Sequence, residues 1–248
     1  MTPAGASAAT AAVEFSEVGF SYRPRRGGQV EAVAGLSFSA PAGSTTAIVG
    51  PNGCGKTTLL RLACGMIAPD SGAVTAQPAA LMPQSDLLLP WAGALDNAAL
   101  ALRAGGVDSA GARRSAAEWF PRLGLEGFEK ARPHELSGGM RQRVAFARTV
   151  LSGRPVLALD EPFASLDSLS RIKAREWLRS AIAESGRTAL LVTHDIEEAI
   201  AVAERVVVLS PRPARVVAVH RTPGGEPGSA EAVTLRREIL ENLLEEAE

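Results

Sequence analysis

The sequence contains few of the features that mark membrane-spanning, nucleic-acid-binding or disulfide-stabilised proteins. It has no run of about 18 apolar residues, so we expect no segment to span a membrane. Its formal net charge of −1 points to no nucleic-acid partner. With 248 residues it can bury enough surface to fold without a disulfide, and it has only two cysteines. These shortages favour a globular protein in a reducing cytosol.

Lysine and tyrosine are also scarce, which makes two positions stand out. One of only three lysines, Lys56, lies in a glycine-rich stretch. Tyr22, the single tyrosine, ends the alternating apolar and polar pattern of Val13–Tyr22, which is typical of a half-exposed strand. Tyr22 is either an ordinary aromatic at a strand end or a ring that stacks on a nucleotide base.

The glycine-rich stretch fits the Walker A phosphate-binding pattern, and it reads Gly50-Pro51-Asn52-Gly53-Cys54-Gly55-Lys56-Thr57-Thr58. It follows an apolar run and precedes a helical one, which is the strand–loop–helix context that the motif needs. Such a loop points backbone N–H groups and a helix N-terminus at a polyphosphate. Lys56 would reach the β- and γ-phosphates, and the Thr57 hydroxyl would ligate Mg²⁺. The alternative is a glycine-rich turn without a ligand, which this context disfavours.

Two more predicted buried strands end in polar residues that suit phosphate chemistry. Pro155–Leu159 leads to Asp160 and Glu161, at the strand end where ligands bind in open α/β sheets. Asp160 would hold Mg²⁺ through water, and Glu161 would orient or deprotonate the attacking water. An acidic pair that only caps a helix is the alternative. His194 follows the strand Thr188–Thr193 in the same way and would donate to the γ-phosphate, whereas we interpret His134 and His220 as structural.

A second anion-binding pattern precedes the predicted helix Arg141–Leu151. Ser137, Gly138 and Gly139 would offer a hydroxyl, N–H groups and a positive helix dipole to an anion. Taken alone, Ser-Gly-Gly is also an ordinary helix cap. Its place between the phosphate loop and the Asp160-Glu161 pair favours the anion-binding interpretation.

The remaining pattern predicts an α/β domain with two additions. Val13–Tyr22, Val30–Ser39 and the strand before the phosphate loop, joined by short turns, predict a small antiparallel sheet. Residues 86–153 show only helical patterns, with a break at Gly105–Gly111 between helices Ala92–Arg103 and Ala112–Leu123. We therefore expect a helical subdomain inserted between two halves of the α/β domain.

The two ends of the chain are predicted to lie outside the main domain, which spans residues 13–220. Residues 1–12 resemble a flexible tail. Residues 221–248 comprise a Gly/Pro-rich linker and an amphipathic helix whose apolar stripe is Val233, Ile239, Leu240, Leu243 and Leu244. Docking of this helix on its own domain is favoured over a partner-binding role.

Together these motifs resemble the ATP-binding-cassette (ABC) ATPase family from about Val13 to Val219. Walker A, the Leu-Ser-Gly-Gly signature, Asp160-Glu161, the D-loop Ser165-Leu166-Asp167 and His194 occur in the order found in that family. The resemblance implies a P-loop NTPase fold: a RecA-like core with an antiparallel β subdomain and an inserted α-helical subdomain. It also implies a head-to-tail homodimer with two ATP molecules, each between Walker A of one subunit and the signature of the other.

The resemblance also implies roles for individual residues. Tyr22 would stack on the base, and Gln84 would sense Mg²⁺ and the nucleotide. Ser137, Gly138 and Gly139 would bind the γ-phosphate of the other subunit's ATP, and Asp167 would belong to the nucleotide site as part of the D-loop. Glu161 would be the catalytic base and His194 the switch histidine.

A narrower resemblance is to the nitrate/sulfonate/taurine branch of ABC importers, whose relatives include importers of thiamine precursors. It is carried by Leu88–Trp91, Leu95–Asn97, Asp160–Asp167 and Val207–Pro213. It implies an ATPase subunit at the cytoplasmic face of the membrane, with permease partners, through which an extracytoplasmic binding protein supplies the solute. The loops from Gln84 to about Arg103 would contact the permease.

Three other functions share some of these features. An exporter ATPase would be favoured by a fused membrane segment, and none is visible in the sequence. DNA-repair members carry a long coiled-coil insertion, and translation members carry two cassettes, whereas this chain has a short insertion and one cassette. A small-molecule P-loop kinase is disfavoured by the signature and by Asp160-Glu161 with His194.

Overall fold

The computed structural model describes residues 10–24, 28–164, 166–223 and 228–246. The strands are β1 Ala11–Tyr22, β2 Val30–Pro41, β3 Thr45–Val49, β4 Ser71–Ala76, β5 Ala79–Met82, β6 Val156–Asp160, β7 Thr188–Thr193, β8 Arg205–Leu209 and β9 Val216–Arg221. The helices are α1 Lys56–Ala63, α2 Ala94–Ala104, α3 Ser109–Ala117, α4 Trp119–Arg122, α5 Gly138–Val150, α6 Ser168–Ser185, α7 Ile196–Val202 and α8 Ala230–Glu245. None of the helices in these ranges is long and apolar enough to cross a membrane.

The central sheet has six strands in the order β5-β6-β7-β3-β8-β9. All pairs are parallel except β8 with β9. Every residue of β3, β6 and β7 is buried, as expected of parallel strands covered on both faces. The register places Val49 opposite Thr193 and Asp160 opposite Val192, so these three strands end side by side. The residues that follow them therefore meet at one edge of the sheet.

A second, three-stranded antiparallel sheet has the order β2-β1-β4. The predicted antiparallel sheet is confirmed, but the predicted third member was wrong. β3 pairs in parallel with β7 and β8 because all five of its residues are buried in the central sheet. β4, most of whose residues are exposed or half-buried, takes the place beside β1.

Strand β1 begins two residues before the predicted start of the main domain at Val13. Residues 1–9 lie outside the described part of the chain, but Ala11 and Ala12 belong to β1. Ala12 is buried, and its carbonyl accepts a hydrogen bond from the N–H of Gln77. Pairing on both sides of β1 therefore orders the chain two residues before the predicted boundary.

Residues 86–153 are all described, and they contain α2 to α5 and a 3₁₀ turn but no strand, as predicted. The predicted helix boundaries here were partly wrong. The break ends at Asp108, whose carboxylate accepts from the N–H groups of Ala110 and Gly111 and so starts α3 before Gly111. The predicted helix Ala112–Leu123 is two helices, because Pro121 has no N–H to donate to the carbonyl of Ala117.

The C-terminal helix α8 packs on α7, β8 and β9, which confirms docking on its own domain. The predicted apolar stripe was partly wrong. Ile239 is buried and Leu243 packs against the core, whereas Val233, Leu240 and Leu244 are exposed. The buried face consists of Ala232, Leu235 and Ile239, at the i, i+3, i+7 spacing of one helix side. Residues 224–227 of the predicted linker lie outside the described part of the chain.

Candidate functional site

The phosphate loop connects the end of β3 to the start of α1. Gly55 has a φ of +129°, and a Cβ there would lie 2.7 Å from the carbonyl oxygen of Ala32. A side chain at this position would meet both backbone strain and a clash, so the sequence needs glycine. Behind the loop, Cys54 is buried, and its N–H donates to the carbonyl of Pro51 at 3.3 Å. The loop therefore has the sharply turned backbone that the Walker A pattern predicts.

Lys56 is only 5% exposed and is held by the loop itself. Its Nζ donates to the carbonyl oxygens of Gly50 at 2.8 Å and Pro51 at 2.9 Å. A buried ammonium needs such partners, since an unpaired charge is costly away from water. The loop thus holds the Lys56 ammonium group within its own curve.

Asp160, the last residue of β6, is buried beside this cation. The hydroxyl of Thr57 donates to its Oδ1 at 3.2 Å. Burial raises the pKa of the Asp160 carboxyl, and the nearby Glu161 raises it further, while the Thr57 hydrogen bond and the cations Arg61 and Lys56 oppose this. The ionised form is therefore disfavoured in the folded chain, and an additional positive charge at this position would relieve that cost.

We expect Asp160→Asn to stabilise the chain in the absence of ligands. Because the folded-state pKa is above the unfolded one, the stability linked to this carboxyl is fully present below the unfolded pKa and is lost as pH rises through the folded pKa. The Asn side chain cannot ionise, so this loss of stability does not occur, and its amide oxygen can still accept the hydrogen bond from the Thr57 hydroxyl. Urea denaturation at pH 7 should show a free energy of unfolding about 1 kcal/mol higher, and the difference should shrink in acid.

Asp96→Asn is the matched control, with the opposite sign. A hydrogen bond from the Arg113 side chain lowers the pKa of Asp96, so its charge stabilises the fold above the unfolded pKa and that gain is lost as pH falls through the folded pKa. If Asp160→Asn were less stable than the wild type, the conclusion that burial disfavours the ionised Asp160 carboxylate would be wrong.

Glu161 follows β6 and gathers two side chains from neighbouring strand ends. Its Oε2 accepts from Nε2 of Gln84 at 3.1 Å and lies 3.3 Å from Nδ1 of His194. The φ of Glu161 is +44°, an unusual value for a residue with a side chain. Such strain persists where surrounding structure demands a particular orientation, and it clusters at active sites. Gln84 and His194, which follow the ends of β5 and β7, thus converge on one carboxylate oxygen of Glu161.

These residues and the phosphate loop line one open cavity of about 450 Å³. Nine of the predicted site residues line it: Asn52, Gly53, Gly55, Lys56, Thr57, Thr58, Gln84, Glu161 and His194. Tyr22 lies next to it, with its hydroxyl 3.1 Å from Oγ1 of Thr58, and the residue is 37% exposed. We call this space the phosphate-loop cavity.

Ser137, Gly138 and Gly139 lie elsewhere, in a second cavity that Asp167 also lines. Ser137 caps α5 by accepting from the N–H of Met140 at 3.2 Å. Asp167 caps α6, and the Ser170 side chain and backbone hydrogen bonds lower its pKa. Of the described residues of this signature segment, none lines the phosphate-loop cavity of the same chain. We call this second space the signature cavity.

Sequence reasoning missed several arginines that connect these parts. Arg141 joins Asp86, two residues after Gln84, to the carbonyl of Leu136, the first residue of the Leu-Ser-Gly-Gly signature. Arg171 and Arg175, on α6, reach the loop that follows His194. Two features of the sequence could have indicated the last contact: Arg171 and Arg175 are four residues apart on one helix, and the first turn of α7 is acidic. Neither feature shows that α6 and α7 meet, which only the fold establishes.

Comparisons with known proteins agree with this geometry. The ABC transporter family profile matches residues 33–164, which is more than half of the chain. The formylaminopyrimidine import ATP-binding protein ThiZ of Halalkalibacterium halodurans is 43% identical over 202 residues, with 80% of each chain covered. The taurine import ATP-binding protein TauB of Rhizobium johnstonii is 40% identical over 206 residues, covering 79% of each. The aliphatic sulfonates import ATP-binding protein SsuB 1 of Rhodococcus jostii is 37% identical over 247 residues, covering 96% of each.

Among solved structures, the chain is similar to the dimeric ATP-binding cassette MJ0796 in a post-hydrolysis state bound to ADP and Pi. The TM-score is 0.74 at 26% sequence identity, and the match covers 86% of this chain and 100% of that one. The predicted P-loop NTPase fold and the resemblance to the nitrate/sulfonate/taurine branch are thereby confirmed. The chain belongs to the ABC transporter family and is one of its ATP-binding ATPase subunits.

Proposed function

We propose that this chain powers an ABC importer for a small solute such as nitrate, a sulfonate or taurine. The observation that carries the proposal is the separation of two half-sites: Lys56 and Glu161 face one cavity, and Ser137 faces another. Each half-site is incomplete alone, and a second copy of the chain, placed head to tail, completes both. The import ATP-binding proteins among its relatives support the direction of transport.

In the phosphate-loop cavity, Lys56 binds the phosphates of ATP after exchanging its carbonyl partners for phosphate oxygens. Free backbone N–H groups of the loop and of the first turn of α1 surround the same phosphates. Tyr22 supplies a flat ring for the base, fixed through its hydroxyl to Thr58. The loop, its helix and this ring together bind the whole nucleotide.

The residues at this site fit Mg²⁺. Thr57 and Asp160 offer oxygen donors, which Mg²⁺ prefers, and the buried Asp160 carboxylate favours a nearby cation. In the described part of the chain there is no group of three His, Cys, Asp or Glu that would hold a metal alone, so nucleotide phosphates are expected to complete the shell. Thr57 and Gln84 would hold the ion, together with Asp160 acting through water. When bound, the ion neutralises charge on the phosphates.

Glu161 carries the hydrolytic step. Its carboxylate orients the attacking water and accepts its proton, while Gln84 and His194 hold that carboxylate from two sides. His194 lines the same cavity and would donate to the γ-phosphate once ATP occupies it. Catalysis therefore depends on keeping three strand ends in register.

The dimer places Ser137, Gly138 and Gly139 of one subunit against the γ-phosphate held by the other. The first turn of α5 leaves N–H groups without helical partners, and its dipole attracts negative charge. Asp167 lies beside these residues and takes part in the same contact. ATP joins two positive surfaces, and hydrolysis removes the phosphate that bridges them, which shifts the open–closed equilibrium.

The surface after Gln84 is suited to a permease. Leu87 is 63% exposed and Trp91 is 72% exposed, next to the start of α2. Large exposed apolar side chains mark interaction sites. We propose that they contact a cytoplasmic helix of the permease, which receives its solute from an extracytoplasmic binding protein and holds this chain at the cytoplasmic face of the membrane. The ATPase domain would run from β1 to β9, with residues 86–153 as its helical subdomain, and a linker and α8 would follow it.

We expect Trp91→Ala to weaken binding to the permease about tenfold, since buried aromatic anchors dominate interfaces, and to leave ATP affinity of the isolated chain unchanged. Co-purification with the permease, titrated in detergent, measures the first quantity. Met66→Ala is the control, because Met66 is 61% exposed on the turn after α1. Equal permease binding by wild type and Trp91→Ala would place the contact elsewhere.

Solute uptake tests the proposed direction and substrate class. Deleting the chain from its host should abolish uptake of one labelled solute among nitrate, taurine, an alkanesulfonate and a formylaminopyrimidine. The wild-type chain should restore uptake, and Glu161→Gln should not. Unchanged uptake of all four in the deletion strain would overturn this substrate class, and loss of an efflux activity instead would reverse the direction.

A further inference from the structure

Arg171, in the first turn of α6, contacts two loops that belong to different cavities. Its Nη2 donates to the carbonyl oxygen of Leu166 at 3.2 Å, immediately before Asp167 in the signature cavity. Its Nη1 lies 3.6 Å from Oδ2 of Asp195, immediately after His194 in the phosphate-loop cavity. The Arg171 side chain, which is 28% exposed, thus contacts the residue before Asp167 and the residue after His194.

The loop after His194 is held by two carboxylates. Asp195 caps α7, accepting from the N–H of Glu197 at 2.8 Å and of Glu198 at 3.2 Å. Glu198 is 4% exposed and accepts from the hydroxyl of Thr193 at 2.5 Å. Burial raises the pKa of Glu198, and Asp195 raises it further, whereas the Thr193 hydrogen bond and the two arginines lower it. Both carboxylates lie within four residues of His194, and arginines on α6 balance their negative charge.

Two arginines supply that charge, but they are placed differently. Arg175 forms ion pairs with Asp195 at 3.1 Å and Glu197 at 3.7 Å, both on the His194 side. Arg171 lies 3.4 Å from Oε1 of Glu198 through an Nε that makes no aligned hydrogen bond, while its terminal nitrogen bonds Leu166. Arg171 therefore contacts both the carboxylates that follow His194 and Leu166 in the signature cavity. Within the described part of the chain, Arg175 forms ion pairs only with the carboxylates that follow His194, so it is the comparison for Arg171.

We infer that Arg171 is a positioning residue that ties the Leu166–Asp167 segment to the loop carrying His194. The inference rests on the proposed function, in which Asp167 meets ATP held by a second copy while His194 serves ATP held by its own chain. Any displacement of Leu166 on dimer closure is passed through the rigid guanidinium to Asp195 and then to His194. Each active site thereby depends on the occupancy of the other.

Arginine is suited to this task for a geometric reason. Its planar fork presents five N–H donors in fixed directions and can bond two groups at once. A lysine keeps the positive charge but presents one compact ammonium, which can serve one loop at a time. Arg171→Lys therefore separates the charge of this residue from its bridging geometry.

We expect Arg171→Lys to lower kcat for ATP about tenfold, with KM and ATP affinity within about twofold of wild type, since small misplacements of catalytic groups cost this much or more. The Hill coefficient for ATP should fall towards one. Arg175→Lys, the matched control one turn along the same helix, should keep the wild-type Hill coefficient. Wild-type kcat and cooperativity in Arg171→Lys, or the same kinetic defect in both variants, would overturn the proposal.

Hydrogen exchange on the nucleotide-free chain gives a readout that does not need activity. Arg171→Lys should raise amide exchange in both 166–170 and 193–199, whereas Arg175→Lys should raise it only in 193–199. If the wild-type chain hydrolyses no ATP, the proposed function fails, and exchange alone decides whether Arg171 joins the two loops. Exchange that rises in only one segment for Arg171→Lys would contradict the link.

A double variant tests the proposal in a protein that is expected to fold even without the Arg171 guanidinium. Arg171→Met with Glu198→Gln removes both members of the ion pair, so no unpaired carboxylate remains buried, yet the Leu166 hydrogen bond is still absent. This double variant should melt near the wild type and show the same loss of kcat and cooperativity. A folded double variant with wild-type kinetics would also overturn the proposal.

Discussion

Glu161→Gln is expected to hydrolyse ATP at least about 100-fold more slowly than the wild type while binding ATP with unchanged affinity. The amide keeps the size of the side chain and an oxygen for the Gln84 hydrogen bond, but it cannot accept the proton of the attacking water. The substrate-binding groups of the phosphate loop are untouched. Only the chemical step should therefore be lost.

Steady-state phosphate release and equilibrium binding of a fluorescent ATP analogue separate these two effects. Glu126→Gln, which changes an exposed carboxylate after α4, is the matched control and should behave as wild type. Normal turnover by Glu161→Gln would remove Glu161 from the role of base. Loss of ATP binding in the same variant would show that the change had damaged the loop.

Lys56→Ala is expected to weaken ATP binding about 100-fold, because a charged hydrogen bond to phosphate is worth roughly 1.5–3 kcal/mol and a buried site screens it little. The carbonyls of Gly50 and Pro51 also lose their cation, so the empty loop should become less ordered. Titration with the same ATP analogue measures the change.

Lys130→Ala is the control for the Lys56 experiment. It removes another of the three lysines, but an exposed one, and should leave affinity unchanged. Unaltered ATP affinity in Lys56→Ala would argue against the phosphate-loop assignment itself. An equal loss in both lysine variants would indicate a general effect of charge rather than a contact.

The parts of the site that the sequence predicted are those governed by local pattern. A strand buried on both faces has a continuous apolar run, so β6 and β7 were recognisable, and so were the polar residues directly after them. Because the carboxyl ends of parallel strands meet at one edge of a sheet, the sequence alone favours a common location for Glu161 and His194. The glycine at position 55 is likewise required by local backbone geometry.

The parts that the sequence did not predict depend on contacts between distant segments. The pairing of β4 with β1 rests on edge positions that a half-exposed pattern does not specify. Arg171 is one arginine among many in the sequence, and only the fold brings Leu166 and Asp195 to either end of its side chain. In the same way, the exposure of Val233 and Leu240 was decided by which side of α8 met α7 and β8.

The central claim is that ATP joins two copies of this chain through the two half-sites. Light scattering during gel filtration of Glu161→Gln measures it directly, because that variant holds ATP without consuming it. We expect the mass of a monomer without nucleotide and twice that mass with saturating ATP and Mg²⁺. A protein that binds ATP under these conditions and still elutes with the mass of one chain would contradict the account.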